Sequence, residues 1–110
     1  MKTRHPPLDL RRPPRVIVRP LGKERAFGQA HVCVSHPAML NTIELDPRQH
    51  GRRFLETVIH ELLHIVFPSM EEENVRRAGR WIALCLWAWG VRLDEERVMA
   101  LAQGDNPEAG

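Results

Sequence analysis

Hydrophobic residues recur at helical spacing over residues 52–67, and Pro68 then stops the pattern because proline cannot continue a helix. At 100° per residue these side chains form one stripe, which consists of Leu55, Val58, Ile59, Leu62, Ile65 and Val66. The opposite side of the same helix carries Thr57, His60, His64 and Phe67. The pattern predicts a helix that packs on a sheet through its aliphatic stripe while two histidines face away from that sheet.

A second helical pattern runs from Ser69 to about Gly90. Ser69 and Glu72 match a capping box, in which two side chains three residues apart bind backbone amides of the first turn. Gly90 suits the left-handed turn that ends many helices. The hydrophobic positions again form one stripe, made of Val75, Ala78, Ile82, Cys85, Leu86 and Trp89. We expect this helix to pack over the first one, and residues 94–103 to form a short last helix.

Three short segments before the first helix have the residue types of strands: 15–19, 29–34 and 41–46. In the last segment the polar residues Thr42 and Glu44 alternate with Ile43 and Leu45, which indicates one buried and one exposed face. Short connections favour pairing between consecutive strands. We therefore predict an α+β fold, with a small, mostly antiparallel three-stranded sheet packed on the first helix and the second helix covering the cleft beside the histidines.

The ends of the chain differ in character from its middle. Residues 1–14 contain four prolines with interleaved arginines, which predicts an extended basic arm. Residues 15–103 form the predicted single domain, and residues 104–110 a disordered tail. The first 25 residues carry eight Lys and Arg against two acidic residues, whereas the remaining 85 carry eight against twelve. A basic arm can contact nucleic-acid phosphates weakly, although a tail that only aids solubility has the same composition.

The composition, 43% hydrophobic and 27% charged, is typical of a soluble globular protein. The longest hydrophobic run, residues 81–91, is too short to span a bilayer, and no signal peptide is visible. Cys33 and Cys85 lie in hydrophobic segments and form no CxxC pair, which favours free thiols over a disulfide. We expect a cytoplasmic protein without membrane contact, and the sequence does not indicate its oligomeric state.

The candidate chemistry lies on the first predicted helix, where residues 60–64 read His-Glu-Leu-Leu-His. Two histidines four residues apart share one side of a helix and can bind the same metal. Glu61, between them, can take a proton from a metal-activated water. Shuffling this composition produces the pattern in about three chains of a hundred. Its place on an amphipathic helix, with both histidines off the hydrophobic stripe, therefore carries as much weight as the pattern itself.

A catalytic zinc usually has three protein ligands and keeps one position for water. Glu71, Glu72 and Glu73 follow at the start of the second helix, and a hairpin through Pro68 would return them to the histidines. Acidic residues in a first helical turn also offset the helix dipole without a metal, and Glu72 could serve only as the capping partner. Glu73 falls on the polar side and is the weakest candidate, while the helical phase does not separate Glu71 from Glu72.

The segment from residue 43 to about residue 89 resembles the short zincin-like metallopeptidase domains of phage and bacterial proteins, distant relatives of the SprT-like and IrrE/ImmA-like peptidases. The residues that carry the resemblance are 43–46, 56–64, Pro68, and Glu72 with Val75. In those domains a glutamate at the start of the helix after HExxH completes the metal site. The resemblance thus implies His60, His64 and Glu72 as zinc ligands and Glu61 as the general base.

Two departures limit what this resemblance implies about substrates. SprT-like proteins take a third histidine from further downstream, and no histidine follows His64 here. IrrE/ImmA-like proteins usually have a longer insert before their third ligand. Neither family's substrates therefore transfer to this chain.

The expected function is a zinc-dependent metallopeptidase that hydrolyses peptide bonds of a protein or peptide substrate through a metal-activated water. The alternative is a catalytically weak or inactive zincin-like binding module whose basic arm contacts nucleic acid. The chain has no tyrosine to stabilise an oxyanion, so other donors would have to do so. For the remaining histidines and the tryptophans we expect ordinary polar or packing roles: His31, His36, His50, Trp81, Trp87 and Trp89.

Overall fold

The computed structural model describes residues 13–18, 28–31 and 42–102, and for 28–31 it describes the backbone alone. The predicted tail lies outside these residues, as does the predicted arm apart from residues 13 and 14. Cys33 and His36 also lie outside them. Among the described residues, no helix is both long and apolar enough to cross a bilayer.

Three helices contain most of the described residues. Helix α1 spans Gly51–Val66, α2 spans Glu72–Ala88 and α3 spans Glu95–Ala102. The bounds of α1 lie within one residue of the predicted ones. The predicted capping box of α2 is wrong, because Glu71 rather than Ser69 is the N-cap residue and no side chain caps this end. The residues after Pro68 instead form a turn in which the amide of Met70 donates to the carbonyl of Phe67 at 3.0 Å.

The predicted mostly antiparallel sheet is wrong. Three strands of four residues each, β1 (Arg15–Val18), β2 (Gly28–His31) and β3 (Thr42–Leu45), form a sheet in the order β1-β3-β2. Strand β1 pairs with β3 in parallel, and β2 pairs with β3 antiparallel. The prediction assumed that consecutive strands pair, whereas β1 and β2 both pair with β3. The described part of the protein is thus mainly helical, with a small mixed sheet.

The central strand β3 has no exposed face, contrary to the alternation of its residues. Thr42 and Glu44 are 0% and 1% exposed, as little as Ile43 and Leu45. Helix α1 packs against β2 and β3, while α3 packs against β1. Ile43 and Leu45 join Phe54 and Ile65 in the hydrophobic core, with surrounding contacts from Val16, Val58, Leu93, Val98 and Met99. Burial of polar residues on a central strand is a tertiary effect that period-two alternation does not predict.

Helices α1 and α2 form a hairpin in which Gly79 lies against His60. A Cβ added to Gly79 would lie 3.5 Å from the Cα of His60, so the space between the two backbones fits about one methyl group. The buried residues of α2 are Val75, Gly79 and Ala83. Val75 belongs to the predicted stripe, whereas Gly79 and Ala83 do not. Four other residues of the predicted stripe are partly buried, and only Trp89 of the stripe is exposed: the four are Ala78, Ile82, Cys85 and Leu86.

The C-terminal end of α2 is partly as predicted. Gly90 has a φ of 94°, which confirms the predicted left-handed turn. The amide of Val91 donates to the carbonyl of Leu86 at 2.9 Å, a bond that closes this type of helix end. Trp89, predicted to belong to the core, is 75% exposed, because it follows the last helical residue.

Candidate metal centre

The two histidines of the HExxH pattern lie in the C-terminal half of α1, with His64 in its last turn. Their side chains are 19% and 25% exposed, so both are accessible yet partly shielded from water. The Nε2 atoms of His60 and His64 lie 3.2 Å apart, and the two rings meet edge to face. One helical turn separates the residues, so the helix itself sets this spacing.

Glu72, the first residue of α2, completes the cluster. One carboxylate oxygen lies 2.8 Å from Nε2 of His60, and the other lies 2.8 Å from Nε2 of His64. The ligand atoms of these three residues lie within 4.8 Å of one another. Within the described ranges, this is the group of His, Cys, Asp and Glu side chains that could hold a metal ion.

The structure separates the three glutamates that the sequence left open. Glu71 is the N-cap residue of α2, and the carboxylate of Glu73 pairs with Arg76 on the same helix. Only Glu72 of the three lies with the histidines in the described structure. Its position in the first turn of α2 also places its charge favourably against the helix dipole. No side chain caps this helix end, so Glu72 has no capping-box role.

The spacing of these atoms fits a zinc ion. Zinc binds histidine nitrogens and carboxylate oxygens at about 2.0–2.1 Å in tetrahedral geometry, which places ligand atoms about 3.3 Å apart. The 3.2 Å separation of the two histidine nitrogens is close to that value. The 2.8 Å contacts to Glu72 are hydrogen-bond distances and need only a few tenths of an ångström more. Two histidines and a glutamate are also a donor set found at catalytic zinc sites.

The surroundings favour the metal-binding form of His60. Its pKa is lowered mainly because burial disfavours the charged imidazolium. The carboxylate of Glu72 opposes this shift, while the charges of His64 and Arg76 add to it. The neutral imidazole, which this environment favours, is the form that can bind a metal.

Glu61 lies beside the cluster in a poorly solvated position. Only 5% of the residue is exposed. Burial, and secondly the negative charge of Glu72, raise the pKa of Glu61 to about 8. A carboxyl group that exchanges a proton near neutral pH suits general acid–base chemistry. The sequence placed Glu61 next to the ligands but did not predict its burial.

Two further candidates lie away from the cluster. His50 contacts Glu95 at the start of α3, with Nδ1 and Oε1 2.8 Å apart. Cys85 is a free, partly buried thiol. The sequence prediction missed Gly79, whose close contact with His60 positions α2 beside the histidines. The available signal was a glycine inside a helix, which costs about 1 kcal/mol relative to alanine and therefore usually has a packing reason.

Comparisons of the chain with protein-family models, with curated proteins and with solved structures found no match.

Proposed function

We propose that the protein is a zinc-dependent peptidase in which His60, His64 and Glu72 hold the metal. The convergence of these side chains carries the proposal, because two histidine nitrogens and one carboxylate from two helices meet within 4.8 Å. The histidines are partly accessible to solvent, and the buried acid Glu61 follows His60 directly. Both features support a catalytic zinc site over a structural one. The HExxH pattern supports peptide hydrolysis over other zinc chemistry.

The chemical roles follow from the side chains. A zinc ion held by the three ligands would supply a Lewis acid that polarises the scissile carbonyl and lowers the pKa of a water. Glu61 takes a proton from the attacking water while the oxygen of that water bonds to the carbonyl carbon. Glu61 then gives that proton to the amine nitrogen as the peptide C–N bond breaks. Accepting the proton requires the carboxylate form of Glu61, which the positive charge of a bound zinc would favour over the protonated form.

We also propose a cytoplasmic location. The sequence supports it, because Cys33 and Cys85 form no CxxC pair and lie in hydrophobic segments, which favours the free thiols that cytosolic proteins keep. The alternative of a nucleic-acid-binding module stays a prediction, since its arm falls almost wholly outside the described residues.

The experiment that tests the function compares peptide hydrolysis by wild type and Glu61→Gln, both loaded with zinc. A fluorescence-quenched peptide library reports cleavage of many different sequences in one assay. We expect wild type to cleave and Glu61→Gln to lose at least about a hundredfold in rate, because general acid–base catalysis contributes about 10²–10⁴-fold. Both proteins should bind zinc, since Glu61 is not a ligand.

The matched control is Glu73→Gln, the same substitution at an exposed position whose carboxylate pairs with Arg76. It should cleave at the wild-type rate. Peptide cleavage by Glu61→Gln at the wild-type rate would remove the proposed role of this carboxylate. A wild-type protein that binds zinc and cleaves no member of the library would remove the peptidase proposal itself.

A further inference from the structure

A cavity of about 490 Å³ opens between α1 and α2 and is lined by several charged side chains. Arg52, Arg53 and Arg80 contribute three guanidinium groups, and Glu56 contributes the single carboxylate. The formal charge of these four groups is therefore positive. The cavity is distinct from the metal cluster, because none of the three candidate ligands lines it.

Within the described structure, the arginines of this cavity form few ion pairs or hydrogen bonds. Arg80 has a long contact with Glu56, 3.9 Å between Nε and Oε2. Among the described residues, neither Arg52 nor Arg53 forms an ion pair or a side-chain hydrogen bond. The cavity wall also contains Thr57, whose hydroxyl donates to the buried side chain of Gln49 at 2.7 Å. Unpaired guanidinium groups beside this polar wall favour an anionic ligand.

The cavity lies on the side of α1 that carries the histidines. Arg53, Glu56 and Thr57 precede His60 by seven, four and three residues, the spacing of neighbours on one helix face. With a rise of 1.5 Å per residue, Glu56 is about 6 Å and Arg53 about 10 Å from His60 along the helix axis. An extended peptide advances about 3.3 Å per residue. Two or three residues of an extended substrate therefore span this axial separation between the metal cluster and the arginines.

We propose that this cavity binds a carboxylate of the peptide substrate, two or three residues from the scissile bond. The inference rests on the proposed peptidase function and adds its substrate class, acidic peptides. The carboxylate is either an acidic side chain or the free C-terminus, and an arginine binds both through the same pair of N–H donors. Glu56 in the wall disfavours the repeated phosphates of a nucleic acid. Because Glu56 contacts Arg80, the guanidinium groups of Arg52 and Arg53 are the ones left to bind one carboxylate.

Peptide binding tests this without relying on catalysis. Fluorescence anisotropy would measure the Kd of labelled peptides for zinc-loaded Glu61→Gln, which prevents cleavage during the measurement. One peptide set places a single Glu, or Gln as its neutral counterpart, at successive positions of an alanine-rich sequence. A second set compares a free C-terminal carboxylate with a C-terminal amide. The two sets distinguish an acidic side chain from a C-terminus as the bound group.

We expect at least one carboxylate peptide to bind about tenfold more tightly than its neutral counterpart, the difference of one charge-assisted bidentate contact. Adding Arg53→Gln to this protein should remove the difference, and Arg53→Lys should restore only part of it because lysine lacks the planar fork. The control is Arg77→Gln, the same charge change at an exposed position of α2 outside the cavity lining. It should leave the preference for carboxylate unchanged.

Equal affinity for carboxylate and neutral peptides, or a preference that survives Arg53→Gln in a folded protein, would overturn the carboxylate site. A short oligonucleotide that displaces the acidic peptide in wild type but not in Arg53→Gln would overturn it in favour of a phosphate ligand. Failure of the peptidase proposal alone would give a different result. Arg53-dependent binding of carboxylate peptides would persist, while the wild-type protein would cleave no peptide, including those that it binds.

Discussion

Gly79 lies at a contact between α1 and α2 that leaves room for one methyl group, so alanine at this position should stabilise the protein. A Cβ at residue 79 would lie 3.5 Å from Cα and 3.6 Å from Cβ and N of His60. These are ordinary van der Waals distances, so the methyl group fits without moving either helix. Alanine also restricts the unfolded chain more than glycine does.

The size of the effect follows from helix propensity. Replacing glycine by alanine inside a helix contributes about 0.5–1 kcal/mol. For a domain of this size, about 1 kcal/mol raises Tm by roughly 4–8 °C. Gly79→Leu should have the opposite effect, because its additional carbons must occupy the space of the His60 backbone. Overpacking of this kind costs about 1–3 kcal/mol and should also weaken zinc binding by moving Glu72 away from the histidines.

Thermal unfolding followed by circular dichroism measures these changes, with zinc titrations on the same samples. The matched control is Gly90→Ala, the same substitution at a position where an added Cβ meets no atom within 4 Å. It should destabilise by about 1 kcal/mol, because Gly90 has a φ of 94° and alanine is strained there. If Gly79→Ala lowers Tm, or Gly79→Leu binds zinc as wild type does, the described contact between the helices is wrong.

Two pH predictions follow from carboxyl groups with shifted pKa values. In the folded, metal-free protein the pKa of Glu61 is about 8, against an ordinary value of 4.5. The free energy of unfolding should therefore fall as pH rises between these two values, by at most about 1.4 kcal/mol per pH unit. Urea unfolding of Glu61→Gln should lack this slope, and an identical slope in both proteins would contradict its cause. Hydrogen bonds from the amide of Gly51 and from His50 lower the pKa of Glu95, so Glu95 stabilises the protein above pH 4.5 and loses this effect as pH falls through its lowered pKa. Glu95→Gln should therefore lower Tm at pH 7 and approach the wild-type Tm in acid; a constant difference between pH 7 and pH 3 would refute this role.

Helix positions could be predicted from the sequence because their determinants are local. The period of the hydrophobic residues and Pro68 located α1 within one residue, and Gly90 located the end of α2. The pairing of the strands was not local. β3 pairs with both other strands, and nothing within the three segments specifies that order.

In the candidate site, too, the sequence predicted what depends on local spacing and did not predict what depends on contacts between helices. The spacing of His60 and His64 follows from one helix, so the sequence predicted that they share a side. The choice among three consecutive glutamates depends on where α2 begins and how closely it approaches α1. The contact between Gly79 and His60 belongs to that approach, and periodicity within one helix does not reveal it. The arginine cavity is likewise formed by side chains from both helices and by Gln49, which precedes α1.

Zinc titration by calorimetry tests the central claim most directly, because it measures the metal site without requiring a substrate. Wild type should bind one zinc per chain, and Glu72→Gln should lower the affinity at least about tenfold by removing an anionic ligand. The same substitution at Glu71 or Glu73 should leave the affinity unchanged, since neither carboxylate lies in the cluster. Wild-type affinity in Glu72→Gln, or zinc binding that persists in a His60→Ala and His64→Ala double variant, would contradict the account.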